Sequence, residues 1–270
     1  MAVRTEIDGL VTTIIHDRPE ARNAMDPESA DALVDAFHAF DADPDAAVAV
    51  LWGSNGTFCA GWDLKYASSL AEGSHLNAVL DDLAIPDEGE MPRGPLGPTR
   101  LELSKPVIAA VEGPAVAGGM ELALWSDMRV MAESACFGVY CRRWGIPLLD
   151  GGTVRLPRLT GLGRAMEITL TGRKVPAVEC ERIGLCEQIV PAGEARAAAE
   201  SLAQQIARFP QECVRADRRS LYLQHGQSVR EGLRREWYNS IGVLSEEGVS
   251  GAGRFSAGKG RHGDFGDLGQ

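Results

Sequence analysis

Apolar residues along this chain change period several times, and each change predicts an element. Leu10 to His16 is rich in β-branched residues and predicts a strand, and Asp17 to Ala24 predicts a loop. Asp26-Pro27 then predicts a helix start, with aspartate as the cap and proline at the first helical position. Ala30, Leu33, Val34, Phe37 and Phe40 recur at helical spacing, so that helix packs on a core. Ala47 to Trp52 is a continuous apolar run and predicts a strand covered on both faces. Val107–Val111 and Met128–Met131 predict two more strands flanking a helix that begins near Gly118. Beyond Asp150-Gly151-Gly152 the pattern turns helical, at about 153–159, 162–171, 176–183, 193–208, 210–224 and 228–245, with a short strand at Glu187–Val190. Strands alternating with helices and then a helical tail predict α/β with parallel strands.

Residues 66–100 break this rhythm. They contain Glu72-Gly73-Ser74, Pro86-Asp87-Glu88-Gly89-Glu90 and Arg93-Gly94-Pro95-Leu96-Gly97-Pro98, with a short helix predicted at 75–84. Such a stretch is read here as a mobile lid or a disordered insertion.

The most chemically specific segment runs from Val111 to Ala123. A strand ends at Gly113-Pro114, and Gly118-Gly119 open a helix carrying Glu121 in its first turn. Glycines before a helix let backbone N–H groups approach a ligand and bind developing negative charge. Glu121 projects near the same helix start. It is either an acid/base group or an acid complementing the helix dipole.

Length and charge narrow the field. A chain of 270 residues, 44% apolar and 24% charged, suits one large globular unit with a substantial core. A net charge of −11 argues against nucleic acid as a partner. Met1–Leu10 carries Arg4, Glu6 and Asp8 and does not read as a secretory signal. No apolar run is long enough to span a membrane. The cysteines at 59, 136, 141, 180, 186 and 213 form no C-x-x-C pair, which suits free thiols and a cytoplasmic setting. The histidines do not pair at metal-ligand spacing, so no metal is expected. Gly258-Lys259-Gly260-Arg261-His262-Gly263 matches the dinucleotide fingerprint as a pattern but lacks the preceding strand and the following helix.

Five ordered motifs carry a family resemblance. They are Arg18-Pro19-Glu20-Ala21-Arg22-Asn23-Ala24, Phe58-Cys59-Ala60-Gly61-Trp62-Asp63-Leu64-Lys65, Lys105 through Gly113, Gly118-Gly119-Met120-Glu121-Leu122-Ala123, and Phe137-Gly138 with Gly151-Gly152. With Leu170-Thr171-Gly172-Arg173 and Phe255 through His262, they extend the match over about residues 7–262. The chain resembles the crotonase superfamily, the enoyl-CoA hydratases and isomerases. The resemblance implies a spiral core of strand–strand–helix units over 1–195, a C-terminal helical region over 196–270, and a homotrimer or dimer of trimers.

It also implies an acyl-CoA thioester whose carbonyl oxygen lies between the backbone N–H groups of Trp62 and Gly118. Coenzyme A would enter as part of the substrate, with no separate cofactor. Glu121 matches one catalytic glutamate of the hydratases. The second falls at Cys141, counting from Phe137-Gly138, and a thiol there reads as a small buried filler of the substrate site. Asp150 stands where dienoyl-CoA isomerases place an aspartate, though Asp-Gly-Gly is also an ordinary turn. Arg22, Asn23, Ala24, Ala60, Asp63, Leu64 and Lys65 are the matching substrate and CoA positions, with the cations suited to phosphates. Arg142-Arg143-Trp144 reads instead as a solvated or interface basic patch. The stripe Val229, Leu233, Trp237, Ile241 and Leu244 is either core or trimer contact. The functional expectation is enoyl-CoA hydration. Dienoyl- or enoyl-CoA isomerisation by Glu121 and Asp150, and an acyl-CoA-binding paralogue without turnover, are the alternatives.

Overall fold

The structure is a computed structural model and describes residues 2–70 and 75–260. Glu72, Gly73, Ser74, Arg261 and His262 therefore lie outside the described residues.

The chain begins with β1 (Val3–Asp8) and β2 (Val11–His16), an antiparallel pair. The sequence pattern missed β1 because it is an edge strand with only Val3 buried, so little apolar periodicity marks it. Then come α1 (Pro27–Ala42), β3 (Val48–Gly53), α2 (Leu64–Ser69) and α3 (His75–Asp82). As the Asp26-Pro27 signal predicts, the Asp26 carboxylate accepts the Ser29 N–H at the start of α1. Next are β4 (Val107–Val111), β5 (Pro114–Val116), α4 (Gly118–Trp125), β6 (Met128–Ala132) and β7 (Cys136–Gly138). The remainder is α5 (Gly152–Thr160), α6 (Leu162–Thr171), β8 (Lys174–Pro176), α7 (Ala177–Arg182), β9 (Gln188–Val190), α8 (Ala195–Ala207), α9 (Gln211–Leu223), α10 (Val229–Val243) and α11 (Val249–Ser256). A π-helical turn, Leu244–Gly248, joins α10 to α11. The glycine-rich tail is thus helical as far as Ser256.

Six strands form one sheet in the order β1-β2-β3-β4-β6-β9, parallel except at β1–β2. A second sheet, β5-β7-β8, lies apart from it. Two turns of the chain, β4-β5-α4 and β6-β7-α5, each place one strand in the large sheet, then one in the small sheet, then a helix. This is the strand–strand–helix spiral expected from the sequence. Its centre is dry: β4 is buried at every residue, as is β3 except for half-buried Trp52. The helix α8 covers the large sheet with Ala195, Ala199, Ala203 and Ala207, one small residue per turn, which lets its backbone lie close to the strands. Phe37 of α1 meets Trp125 of α4 edge-to-face, with ring centroids 4.9 Å apart.

The far end of the chain behaves differently. No residue of α10 is buried. Val229, Leu233, Trp237 and Leu244 are each at least 60% exposed, so that stripe is not core of this chain.

Candidate active site

The helix α4 enters the structure from a strained residue. Ala117, just before it, has φ +56° and ψ −126°, a conformation L-residues seldom adopt. Its own N–H donates to the Gly138 carbonyl at 2.7 Å, which ties the turn to the small sheet. The consequence is that Gly118 N–H is left with no acceptor among the described residues.

The second motif runs alongside. Val116 N–H donates to the Cys59 carbonyl at 3.0 Å, and Cys59 N–H donates to the Pro114 carbonyl at 3.3 Å. Chain 59–62 therefore travels beside β5 and meets the head of α4. Gly61 adopts φ +91°, and a Cβ there would lie 2.9 Å from the Ala117 Cβ and 3.1 Å from Gly118 N. At Gly119 a Cβ would lie 2.0 Å from the Cys59 carbonyl oxygen. These glycines are what allows the two segments to touch. Trp62 N–H, like Gly118 N–H, donates to no acceptor among the described residues.

A cavity of about 330 Å³ opens against this junction. Its lining includes Trp62, Gly118, Glu121, Cys141 and Asp150, and it is predominantly apolar. Glu121 is 2% exposed. Its Oε1 accepts the N–H groups of Gly152, at 2.7 Å, and Asp150, at 2.9 Å. Burial and the neighbouring Asp150 carboxylate raise its pKa to about 7, while the amides of Gly152, Asp150 and Leu149 pull the other way. A carboxyl group so placed can both give and take a proton near neutral pH.

Asp150 is also buried. Its Oδ1 accepts Thr99 Oγ1–H at 2.5 Å and Leu96 N–H at 3.0 Å. Burial raises its pKa, offset by those two donors and by the charges of Arg100 and Arg155. Cys141 lies on the same cavity, with its thiol pKa pushed up by burial and by Glu121, so it holds its proton.

Among the other expected substrate positions, Arg22, Ala60 and Leu64 line the cavity. Four do not. Asn23 is fully buried; its Nδ2 donates to the carbonyls of Ser54 and Thr57, and its Oδ1 accepts Arg18 N–H. Its side chain ties two loops together and lies buried outside the cavity lining. Asp63 caps α2 by accepting Lys65 N–H at 2.9 Å and pairs with Arg18 at 3.1 Å, so it shapes the loop that carries Trp62. The Ala24 carbonyl accepts from Arg18 at 2.6 Å, and Lys65 is exposed outside the cavity lining.

Two expectations need correction. Arg142-Arg143-Trp144 is not only a surface patch, because Arg143 and Trp144 line the cavity and Arg143 stacks over Tyr140 at 4.8 Å. Nor is residues 66–100 uniformly a loose insertion. Gly94 and Gly97 exchange two backbone hydrogen bonds of 2.9 Å, and Leu96 and Thr99 are almost wholly buried. Thr99 and Arg155, which hold Asp150, and the cavity-lining Leu96, Tyr140, Ile146 and Leu149 are among the site residues that the sequence pattern did not mark. Only the repeated Gly-Pro pairs at 94–98 signalled a tight turn there.

Residues 6–237 match the family model described as enoyl-CoA hydratase/isomerase. The chain belongs to the enoyl-CoA hydratase/isomerase family, within the crotonase superfamily. It is 36% identical over 220 residues to the enoyl-CoA hydratase EchA19 of Mycobacterium tuberculosis, covering 79% of this chain and 77% of that protein. It is 37% identical over 239 residues to the carnitinyl-CoA dehydratase of Salmonella typhi, covering 88% and 85%. The crystal structure of enoyl-CoA hydratase EchA1 from Mycobacterium marinum superimposes with a TM-score of 0.84 at 32% identity, covering 95% of this chain and 96% of that one. Fold and family expectations from the motifs are thereby met, and the chain is an acyl-CoA-processing enzyme of this family.

Proposed function

We propose that this enzyme adds water reversibly across the double bond of a 2-enoyl-CoA, with Glu121 and Asp150 as its two carboxyl groups. The observation that carries this reading is Glu121 itself. It is a buried carboxyl with a pKa of about 7, on the first turn of the helix whose opening Gly118 N–H has no acceptor among the described residues. The thioester oxygen is held by the N–H groups of Trp62 and Gly118, where charge collects as the reaction proceeds. Such donors lower the barrier by about 3–4 kcal/mol apiece in comparable sites. Asp150, ionised, takes a proton from water as the water oxygen bonds to Cβ. The double-bond electrons move onto the thioester oxygen, and Glu121 gives its proton to Cα. Afterwards Asp150 returns its proton and Glu121 regains one, so the pair ends as it began. Coenzyme A participates as part of the substrate, with Arg22 and Arg143 at the cavity available to its phosphates.

Isomerisation is the second reading, favoured by Cys141. A protonated thiol stands where the hydratases have their second glutamate, and the two remaining carboxyls could instead pass a proton between carbons of a dienoyl-CoA.

Crotonyl-CoA and a dienoyl-CoA offered to the pure protein separate the cases: falling enoyl absorbance means hydration, and a shift in conjugation means isomerisation. Binding of both without turnover would support an acyl-CoA-binding role in their place. Glu121→Gln should lower kcat at least a thousandfold, and full activity in that variant would overturn the assignment. Asp150→Asn should abolish whichever reaction uses both carboxyls.

The exposed apolar stripe on α10 supports a homotrimer or a dimer of trimers, which sedimentation would resolve. Free thiols and the absence, among the described residues, of a helix long and apolar enough to cross a membrane suit the cytoplasm.

A further inference from the structure

The carboxylate of Asp150 does not reach the cavity unaided. Between β3 and β4, the tight turn Gly94–Gly97 and the 3₁₀ turn Pro98–Arg100 fold back over the head of α4. This brings Thr99, 1% exposed, against Asp150 from 51 residues away in sequence. The packing there is close: a Cβ on Gly94 would lie 2.0 Å from Thr99 Oγ1 and 2.5 Å from Asp150 Oδ1. From behind, the half-buried Arg155 guanidinium donates to the Asp150 carbonyl at 2.9 Å and to the Thr99 carbonyl at 2.8 Å. One cation thus clamps both backbones, and no acidic side chain lies within ion-pair distance of it among the described residues.

We propose that Thr99 is a positioning residue for the reaction: its hydroxyl and the Leu96 amide occupy Asp150 Oδ1, leaving Oδ2 to face the acyl chain beside Glu121. This rests on the proposed role of Asp150. The chemistry follows from the donor set. A threonine hydroxyl that donates to a carboxylate favours its ionised form. It also fixes the rotamer, since Oδ1 cannot leave without abandoning two hydrogen bonds. The charged or titratable groups around the pair are Glu121, Arg100, Arg155 and the thiols of Cys59 and Cys141. Because Glu121 and Asp150 interact, their titration belongs to the pair. Weakening the ionised form of Asp150 raises the lower apparent pKa of the pair first.

Thr99→Val keeps the shape and removes the hydroxyl; Thr99→Ser keeps the hydroxyl. With whichever of crotonyl-CoA and the dienoyl-CoA is turned over, Thr99→Val should lower kcat on the order of tenfold, change KM less than threefold, and move the acid limb of the pH profile up by about one unit. Thr99→Ser should restore both readouts to within threefold and a few tenths of a unit. An acid limb unmoved in Thr99→Val, or a Thr99→Ser variant as impaired as Thr99→Val, would overturn the proposal. A second arm needs no turnover. In protein labelled with ¹³C at aspartate carboxyls, the Asp150 resonance, assigned by its loss in Asp150→Asn, should titrate about one unit higher in Thr99→Val. If wild-type protein turned over neither substrate, the functional reading would fail while this titration still decided the role of Thr99. An unchanged midpoint would refute that role.

Discussion

The two walls of the cavity are built from different materials. On one side the lining is shaped by backbone: Trp62 and Gly118, whose N–H groups meet no acceptor among the described residues, are set by a positive-φ alanine and by glycines packed against carbonyls. On the other it is side chain: Glu121 resting on the amides of Asp150 and Gly152, Asp150 gripped by Thr99, and the Cys141 thiol on the same cavity. A backbone wall tolerates almost no change, because every atom in it is also part of the fold. A side-chain wall can be edited one group at a time, and such editing is how one scaffold comes to support more than one reaction.

Three experiments press on that contrast. The largest effect should come from Gly119→Ala. The added Cβ would meet the Cys59 carbonyl oxygen at 2.0 Å, and neither partner can swing aside. A loss of about 3 kcal/mol or more in unfolding free energy is expected, read by urea titration; a fully stable variant would show that the backbone wall is more pliant than its geometry.

Glu121→Gln comes next, read now through stability. The folded-state pKa of about 7 lies above the ordinary glutamate value of 4.5, so the folded protein binds more protons across that interval. The glutamate therefore contributes stability below about pH 4.5 that is lost as pH rises through 7. Relative to wild type, the glutamine variant should gain on the order of 2–3 kcal/mol between pH 5 and pH 8. A difference that stays constant with pH would mean that Glu121 ionises normally in the fold.

The smallest effect belongs to Cys141→Ser. If the thiol is filler, turnover should change less than threefold and stability by about 1 kcal/mol or less. A hundredfold loss would instead make the Cys141 thiol a working group and draw the side-chain wall closer to the hydratase pattern.

The backbone wall was legible in the sequence. Gly118-Gly119-Met120-Glu121 after a broken strand, with Gly61-Trp62 upstream, is a local signature, because the residues that create close backbone approach must themselves be small. The strands β3 and β4 were equally clear from their unbroken apolar runs. Much of the other wall was hidden. Thr99 stands in a turn-rich stretch and reads as solvated until the fold buries it against Asp150. Asn23 and Asp63 misled in the opposite sense: polar residues in a ligand motif proved to be ties between loops. Polar side chains carry no periodic signal that separates a hydrogen bond to the backbone from one to a ligand. The stripe on α10 was visible too, but spacing alone could not say whether it faced inward; the fold leaves it exposed.

By itself, then, the sequence determined the strands, the helices and the close glycine turns, since hydrophobic period and glycine placement act over a few residues, and its ordered motifs carried the resemblance that implied the spiral and the family. Only the tertiary structure decided how the acids are held. Thr99, Glu121 and the Asp150–Arg155 segment come from three separate stretches of chain, and the elevated proton affinity of Glu121 arises from burial and from Asp150. Both depend on which distant segments exclude water together, a property no single stretch of the chain possesses.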